Sequence, residues 1–211
     1  MRLTQKELHD ALVARHGAAM QERLDRAAVG IAGLGGLGSH IAVHLARLGV
    51  GRLVLVDFDV VDVTNLHRQH YTMQDVGVPK TLALLEQLEA INPYLDYETH
   101  TERVIPANAA RLFAGCDVVC EAFDRAEQKA MLIETLLTRL PDAFLVSGSG
   151  MAGSGSANAI RTERRFGRLY VCGDGESDTA DGVGLLAPRV AVCAAHQATM
   201  ALRLLLGERA P

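Results

Sequence analysis

The sequence predicts an α/β chain built on a doubly wound, mostly parallel sheet, with an antiparallel strand pair late in the chain and helices at the N-terminus. Three observations predict it. Short apolar runs alternate with helix-period segments through the first half. A glycine-rich turn, Gly33-Leu-Gly35-Gly36-Leu-Gly38, falls between an apolar run and a helix. Near the end, two adjacent short runs meet at Phe166-Gly167, and a long apolar helix follows.

The elements follow in order. Thr4-x-x-Glu7 is a capping-box pattern and starts a helix to about residue 14. A second short helix covers 18–25. The apolar run 28–32 is the first strand. Over 37–48, Ile41, Leu45 and Leu48 share one helix face. The β-branched-rich run 53–56 is the second strand. The polar stretch 57–78 gives no regular element. Pro79 suits a helix first turn and opens a helix to 91, which Asn92-Pro93 ends. Strands are expected at 95–100, 117–120 and 143–146. Helices are expected at 107–113 and 126–139, the latter carrying Met131, Ile133 and Leu136. The late strand pair is read as 157–161 and 168–172. A segment rich in Gly and Asp, 173–184, is expected to be a mobile loop, and 188–206 a closing helix. With no internal repeat or low-complexity linker, 1–211 reads as one domain.

Composition narrows the function. The chain has 211 residues, 49% hydrophobic and 22% charged, which fits a soluble globular chain with a core. The net charge of −4 offers no basic stripe, so no nucleic-acid partner is expected. Residues 27–46 lack Asp, Glu, Lys and Arg and have the length of a membrane span. Their clustered glycines fit a strand, tight turn and helix better, and no membrane association is expected. The N-terminus is polar from the start, and four scattered cysteines make no disulfide framework. The expected compartment is the reducing cytoplasm.

The glycine turn matches G-x-G-x-x-G in the strand–turn–helix context that a Rossmann-like nucleotide site needs. Glycine permits the tight turn and lets backbone N–H groups approach a phosphate at a helix N-terminus. Asp57, 19 residues after Gly38 at the end of the next strand, suits ribose hydroxyls, with Asp59 close by. An ordinary tight turn is the plain alternative. NAD is the usual partner of this motif, but little chain remains for a substrate domain. The polar stretch also carries Thr64, Asn65, Arg68 and Gln69, followed by Lys80. Two cations near an Asp pair suit a triphosphate with a metal better than a nicotinamide. Lys80 at a helix start is poorly placed for the helix dipole unless a phosphate lies near.

These residues, with V-D-F-D, T-N-L-x-R-Q, P-K at the next helix start and I-N-P at its end, resemble the ThiF/MoeB/HesA group, bacterial relatives of ubiquitin-activating enzymes. The order and spacing match over 29–93, with a looser similarity across most of the chain. Glu121-Ala-Phe-Asp124-Arg-Ala-Glu and Ser149-Gly-Met-Ala-Gly make a short ThiF variant, a thiamine-type sulfur carrier adenylyltransferase, the nearest likeness within the group. The resemblance implies ATP-dependent adenylylation of the C-terminal glycine of a ubiquitin-like sulfur carrier ending in Gly-Gly. It implies that Gly33, Gly35, Gly36, Gly38, Asp57 and Asp59 hold the nucleotide. Asn65 and Arg68 would contact the phosphates, Lys80 would neutralise charge on the triphosphate, Thr64 and Gln69 would belong to the same nucleotide site, and Asp124 would serve Mg²⁺. An N-terminal Arg reaching a neighbouring subunit's ATP matches Arg15, or alternatively Arg23, and a homodimer is expected. The 173–184 loop would cross over the carrier's tail.

Some readings stay open. Asp124 also suits a helix N-cap. Longer relatives hold a structural zinc in two C-x-x-C pairs. Here Cys116 and Cys120 are spaced C-x-x-x-C while Cys172 and Cys193 stand alone, so no zinc is expected. Cys172 is the one position where carrier sulfur handling is worth testing, against a plain buried thiol. His40 and His44 read as packing or surface residues. The same chemistry would serve a molybdopterin-type carrier. A non-catalytic nucleotide-binding scaffold and, last, a nicotinamide-dependent oxidoreductase are the other classes.

Overall fold

The structure, a computed structural model, describes residues 3–179 and 182–211. Two N-terminal helices, α1 (Gln5–His16) and α2 (Ala18–Arg26), lead into β1 (Ala28–Ala32). The Thr4–Glu7 capping box starts α1. Then follow α3 (Gly36–Leu48), β2 (Arg52–Val56), α4 (Lys80–Ile91), β3 (Asp96–His100), α5 (Ala109–Leu112), β4 (Val118–Glu121), α6 (Ala126–Arg139), β5 (Phe144–Gly148), β6 (Arg161–Phe166), β7 (Leu169–Gly173) and α7 (Ala187–Leu205).

The seven strands lie in the order β3-β2-β1-β4-β5-β7-β6. Every pair is parallel except β6–β7. From β1 the chain builds outward through β2 and β3, then returns to lay β4 on the other side of β1. That reversal opens a crevice beyond the C-terminal ends of β1 and β4, where doubly wound sheets place ligands. The central strands β1 and β4 are buried throughout because both faces are covered, and apart from Glu121 at the end of β4 they are apolar. On one face α3 and α7 pack on the sheet, burying Ile31, Leu45, Leu55, Tyr170 and Met200. On the other, α5 and α6 cover Val54, Phe113, Val119, Leu132 and Leu136.

Three expectations are corrected. Residues 157–159 form a short 3₁₀ turn, and the strand begins only at Arg161. This edge strand reads Arg-Thr-Glu-Arg-Arg-Phe and is mostly exposed, so it lacks the apolar run that signals a strand. The helix expected at 107–113 is a single turn, Ala109–Leu112. The polar stretch after β2 holds two 3₁₀ turns, Val63–Asn65 and Met73–Asp75, each closed by a local capping box. The 173–184 expectation falls partly outside the described residues, at 180–181. Among the described residues no helix is long and apolar enough to cross a membrane.

Candidate active site

The crevice is built first from backbone. Gly33 follows β1 at φ +89°, and a side chain there would meet the Ala122 carbonyl oxygen at 2.9 Å. β1 and β4 therefore close directly against each other beneath the loop. Gly38 lies in the first turn of α3 so near Gly33 that a Cβ would sit 1.8 Å from the Gly33 oxygen. Gly35 is different: the nearest atom to a Cβ is Gln69 Nε2, at 3.6 Å. Gly33 and Gly38 make the turn possible, while Gly35 keeps an open approach to the α3 N-terminus.

Asp57, at the end of β2, is buried. Its Oδ2 accepts the Leu34 amide at 2.6 Å and its Oδ1 the Asp59 amide at 2.8 Å. The acid thus binds the glycine loop to its own turn. Burial pushes its carboxyl above the ordinary range, and the nearby Lys80 charge and the two amides oppose that rise. Lys80 is itself buried and donates to Asp59 Oδ2 at 3.1 Å. An ammonium has three donors, so this pairing leaves capacity for a further acceptor. The Tyr71 hydroxyl donates to the Leu34 oxygen at 2.8 Å, fastening the same loop from a third side.

The segment after Asp57 presents the next groups. Thr64 commits its hydroxyl to Asp62 at 2.6 Å, and Asn65 Oδ1 accepts the Asp62 amide. Arg68, half-buried, donates to the Thr64 oxygen at 3.1 Å. Gln69 is buried, and its Oε1 has no hydrogen-bond partner among the described residues. Asp124, just past the end of β4, is exposed and has no hydrogen bond or ion pair among the described residues. Arg125 is the N-cap of α6, and no side-chain cap bond is made there, so the capping alternative for Asp124 does not hold.

The structure gathers the glycine loop, Asp57, Asp59, Lys80, the 64–69 segment and Asp124 around one end of the sheet. It does not bring Arg15 there. α1 lines a pocket together with Gly49, Gly51, Asn92 and Leu95, which lie at the opposite end, before β2 and β3. Arg23 donates to the Leu206 carbonyl beyond the C-terminus of α7. All four cysteines are buried thiols. Burial pushes Cys172 up to about 11, so at neutral pH it presents neither surface nor thiolate. His40 and His44 lie by His70, with His40 and His70 edge-on at 5.5 Å, and burial lowers both α3 imidazoles.

Sequence reasoning missed three groups around the crevice. Tyr71 is one. Asp174 and Arg189 form another, an ion pair between the residue after β7 and the first turn of α7, in which Arg189 is buried. Arg189 also donates to the Ala152 oxygen at 2.7 Å. The third is Glu121 with Lys129 and Ser147. An acidic residue closing an otherwise apolar strand was the signal available for it.

Sheet order and crevice define a doubly wound α/β protein of the Rossmann-like class. Within that class the chain belongs to the ThiF family, whose model matches residues 9–211. A sulfur carrier protein adenylyltransferase of Thermus thermophilus is 40% identical over 129 residues, 59% of this chain and 48% of that protein. An adenylyltransferase and sulfurtransferase MOCS3 of Anopheles gambiae is 32% identical over 206 residues, 93% of this chain and 45% of that protein. The chain thus spans about half the length of these curated relatives. Among solved structures, E. coli tRNA N6-threonylcarbamoyladenosine dehydratase in complex with ATP superposes with a TM-score of 0.86 at 22% identity, covering 98% of both chains. E. coli MccB with ATP gives 0.70 at 22% identity, covering 95% of this chain and 64% of the other. At these identities the two structures speak for the fold alone.

Proposed function

We propose that this chain adenylates the C-terminal glycine carboxylate of a ubiquitin-like sulfur carrier protein, using ATP. The observation that carries the reading is the convergence of an accessible glycine loop on β1 and an unpaired carboxylate, Asp124, on the adjacent strand β4. Membership of the ThiF family and the curated relatives support it.

The chemistry asks little of a general base. A C-terminal carboxylate is ionised near pH 7, with a pKa of about 3.5. Its oxygen attacks the α-phosphorus, an acyl–O–P bond forms, the bond to the β-phosphate oxygen breaks, and pyrophosphate leaves. Positioning and charge neutralisation supply the rate. The α3 N-terminus, approached past Gly35 and Gly36, receives phosphate. Asn65, Arg68 and Lys80 offset the triphosphate charge. Asp57 and Gln69 face the ribose end, where the unpartnered Gln69 Oε1 can accept from a hydroxyl. Asp124 suits Mg²⁺, because that ion is held by one or two carboxylates with substrate phosphates and water rather than by an all-protein cage. When bound there it supplies positive charge to the leaving pyrophosphate.

The proposal extends to the assembly. Arg15, remote from its own crevice, would serve the ATP of a second copy in a homodimer. The 173–184 segment would cross over the carrier's Gly-Gly tail. A thiamine-type carrier is the finer assignment, and a molybdopterin-type carrier, which the same chemistry would serve, is the second reading. Hydroxylamine trapping tests the reaction. With ATP and Mg²⁺, the cognate carrier should yield a C-terminal hydroxamate. A nucleotide-binding scaffold would yield none with any carrier.

A further inference from the structure

Under the Asp124 turn lies a buried charged clamp that the mechanism above does not use. Glu121 closes β4 and is 1% exposed. Its Oε1 accepts the Phe123 amide at 2.6 Å, and its Oε2 accepts the Ser147 hydroxyl at 2.5 Å. Lys129, in the first turn of α6, reaches back to both carboxylate oxygens, at 3.1 and 3.0 Å. The same ammonium donates to the Gly148 carbonyl at 3.0 Å. One cation therefore joins the end of β4, the start of α6 and the end of β5.

The placement matters for Asp124. Between Glu121 and Lys129 the chain leaves the sheet and turns, and Asp124 sits on that turn with no hydrogen bond of its own. Phe123, the residue before it, is held through its amide by Glu121. The clamp thus fixes the backbone on both sides of a carboxylate that nothing else fixes. It also fixes the Gly148 end of the neighbouring strand. Ser149 and Gly150 follow there and accept the Gly175 and Asp174 amides at 3.2 and 2.9 Å. The turn that carries Asp124 and the stem of the 174–184 segment are therefore set relative to each other through Lys129.

Stability alone is a poor account of such a pair, because buried ion pairs can often be replaced by apolar groups at little cost. We infer that Lys129 is a positioning residue: with Glu121 it sets the Asp124 carboxylate and the β5 end in the geometry that adenylyl transfer needs. The inference rests on the adenylation reading for its catalytic consequence and on the hydrogen bonds alone for its structural one.

The experiment compares the wild-type chain, Lys129→Met, Glu121→Gln/Lys129→Met and Lys129→Arg. Removing one charge strands the other, so the double variant is the one expected to keep its fold. Two readouts are taken on each: hydrogen exchange at the Phe123 amide, and kcat and KM for ATP–pyrophosphate exchange with the cognate carrier. The double variant should lose Phe123 protection by about tenfold or more. It should keep its KM for ATP within about twofold while kcat falls about a hundredfold, the cost of misplacing a catalytic group by about an ångström. Lys129→Arg should recover most of both. Unchanged Phe123 protection with unchanged kcat in a folded double variant overturns the inference. So does an equal loss in KM, which marks general damage to the nucleotide site. If the wild-type chain shows no exchange with any carrier, the adenylation reading fails instead. Phe123 protection then decides whether Lys129 holds the turn. Should the double variant not fold, Ser147→Ala, which removes one bond to Glu121, takes its place: a smaller loss of Phe123 protection and of kcat in the same direction supports the inference, and no change in either overturns it.

Discussion

The carboxylate of Asp57 accepts the backbone amide of Leu34 at 2.6 Å, so the acid that ends β2 holds the glycine loop that ends β1. The second oxygen holds the Asp59 amide, and Lys80 pairs with Asp59 beside it. The residue expected from sequence to bind ribose is thus, in the fold, the loop's fastening. Asp57→Asn should weaken ATP binding and also lower stability by about 1–3 kcal/mol, because a buried donor or acceptor is left mismatched. Urea unfolding and ATP titration on the same preparation check both effects.

Two glycines of one motif should behave oppositely. Gly38→Ala drives a Cβ into the Gly33 oxygen and should cost about 3 kcal/mol or prevent folding. Gly35→Ala meets only the Gln69 side chain at 3.6 Å, so its stability should stay within about 0.5 kcal/mol of the wild type. Its ATP affinity should still fall, because the methyl group stands where phosphate approaches. Thermal unfolding with and without ATP separates the two.

The Asp174–Arg189 pair predicts a pH dependence. Burial alone would raise the Asp174 carboxyl, but the Ser177 and Glu176 amides, the Ser177 hydroxyl and Arg189 hold it well below the ordinary 3.8. A depressed carboxylate contributes stability that is present above its unfolded value and lost as pH falls toward the folded one. Asp174→Asn leaves a buried guanidinium without its counter-charge and should cost about 3 kcal/mol at pH 7. The gap from wild type should narrow steadily below pH 4. Denaturation curves across that range measure it.

The central strands and the glycine loop were legible because their signals are local. Apolar runs mark β1 and β2, and G-x-G-x-x-G marks the turn between β1 and α3. β6 was misplaced because an exposed edge strand such as Arg161–Phe166 buries too little to show a pattern. Of the site, the residues carried by contiguous motifs, Asp57, Asn65, Arg68 and Lys80, came together at one end of the sheet. The groups that fasten them did not announce themselves. Tyr71 reaches back to Leu34, Glu121 to Ser147 and Asp174 to Arg189, and each pairing is made by the fold rather than by spacing along the chain. Arg15 shows the converse: the resemblance implied a role for it at the nucleotide, but its helix lies at the other end of the sheet, so the proposed role needs a second copy of the chain.

Subunit complementation tests that assembly. Arg15→Ala and Asp124→Ala should each lower adenylation about a hundredfold, the usual cost of losing a charged group aimed at the transition state. If Arg15 serves a neighbouring copy, mixing the two inactive variants restores part of the activity, since one crevice of the hybrid has both groups. Arg15 acting within its own chain gives no recovery.

The adenylation reading meets its most direct test in ATP–pyrophosphate exchange with Mg²⁺ and purified carriers ending in Gly-Gly, each paired with a version lacking the last glycine. The account predicts exchange with one intact carrier and none with its truncated form. ATP binding without exchange on any intact carrier, or exchange that ignores loss of the terminal glycine, would contradict it.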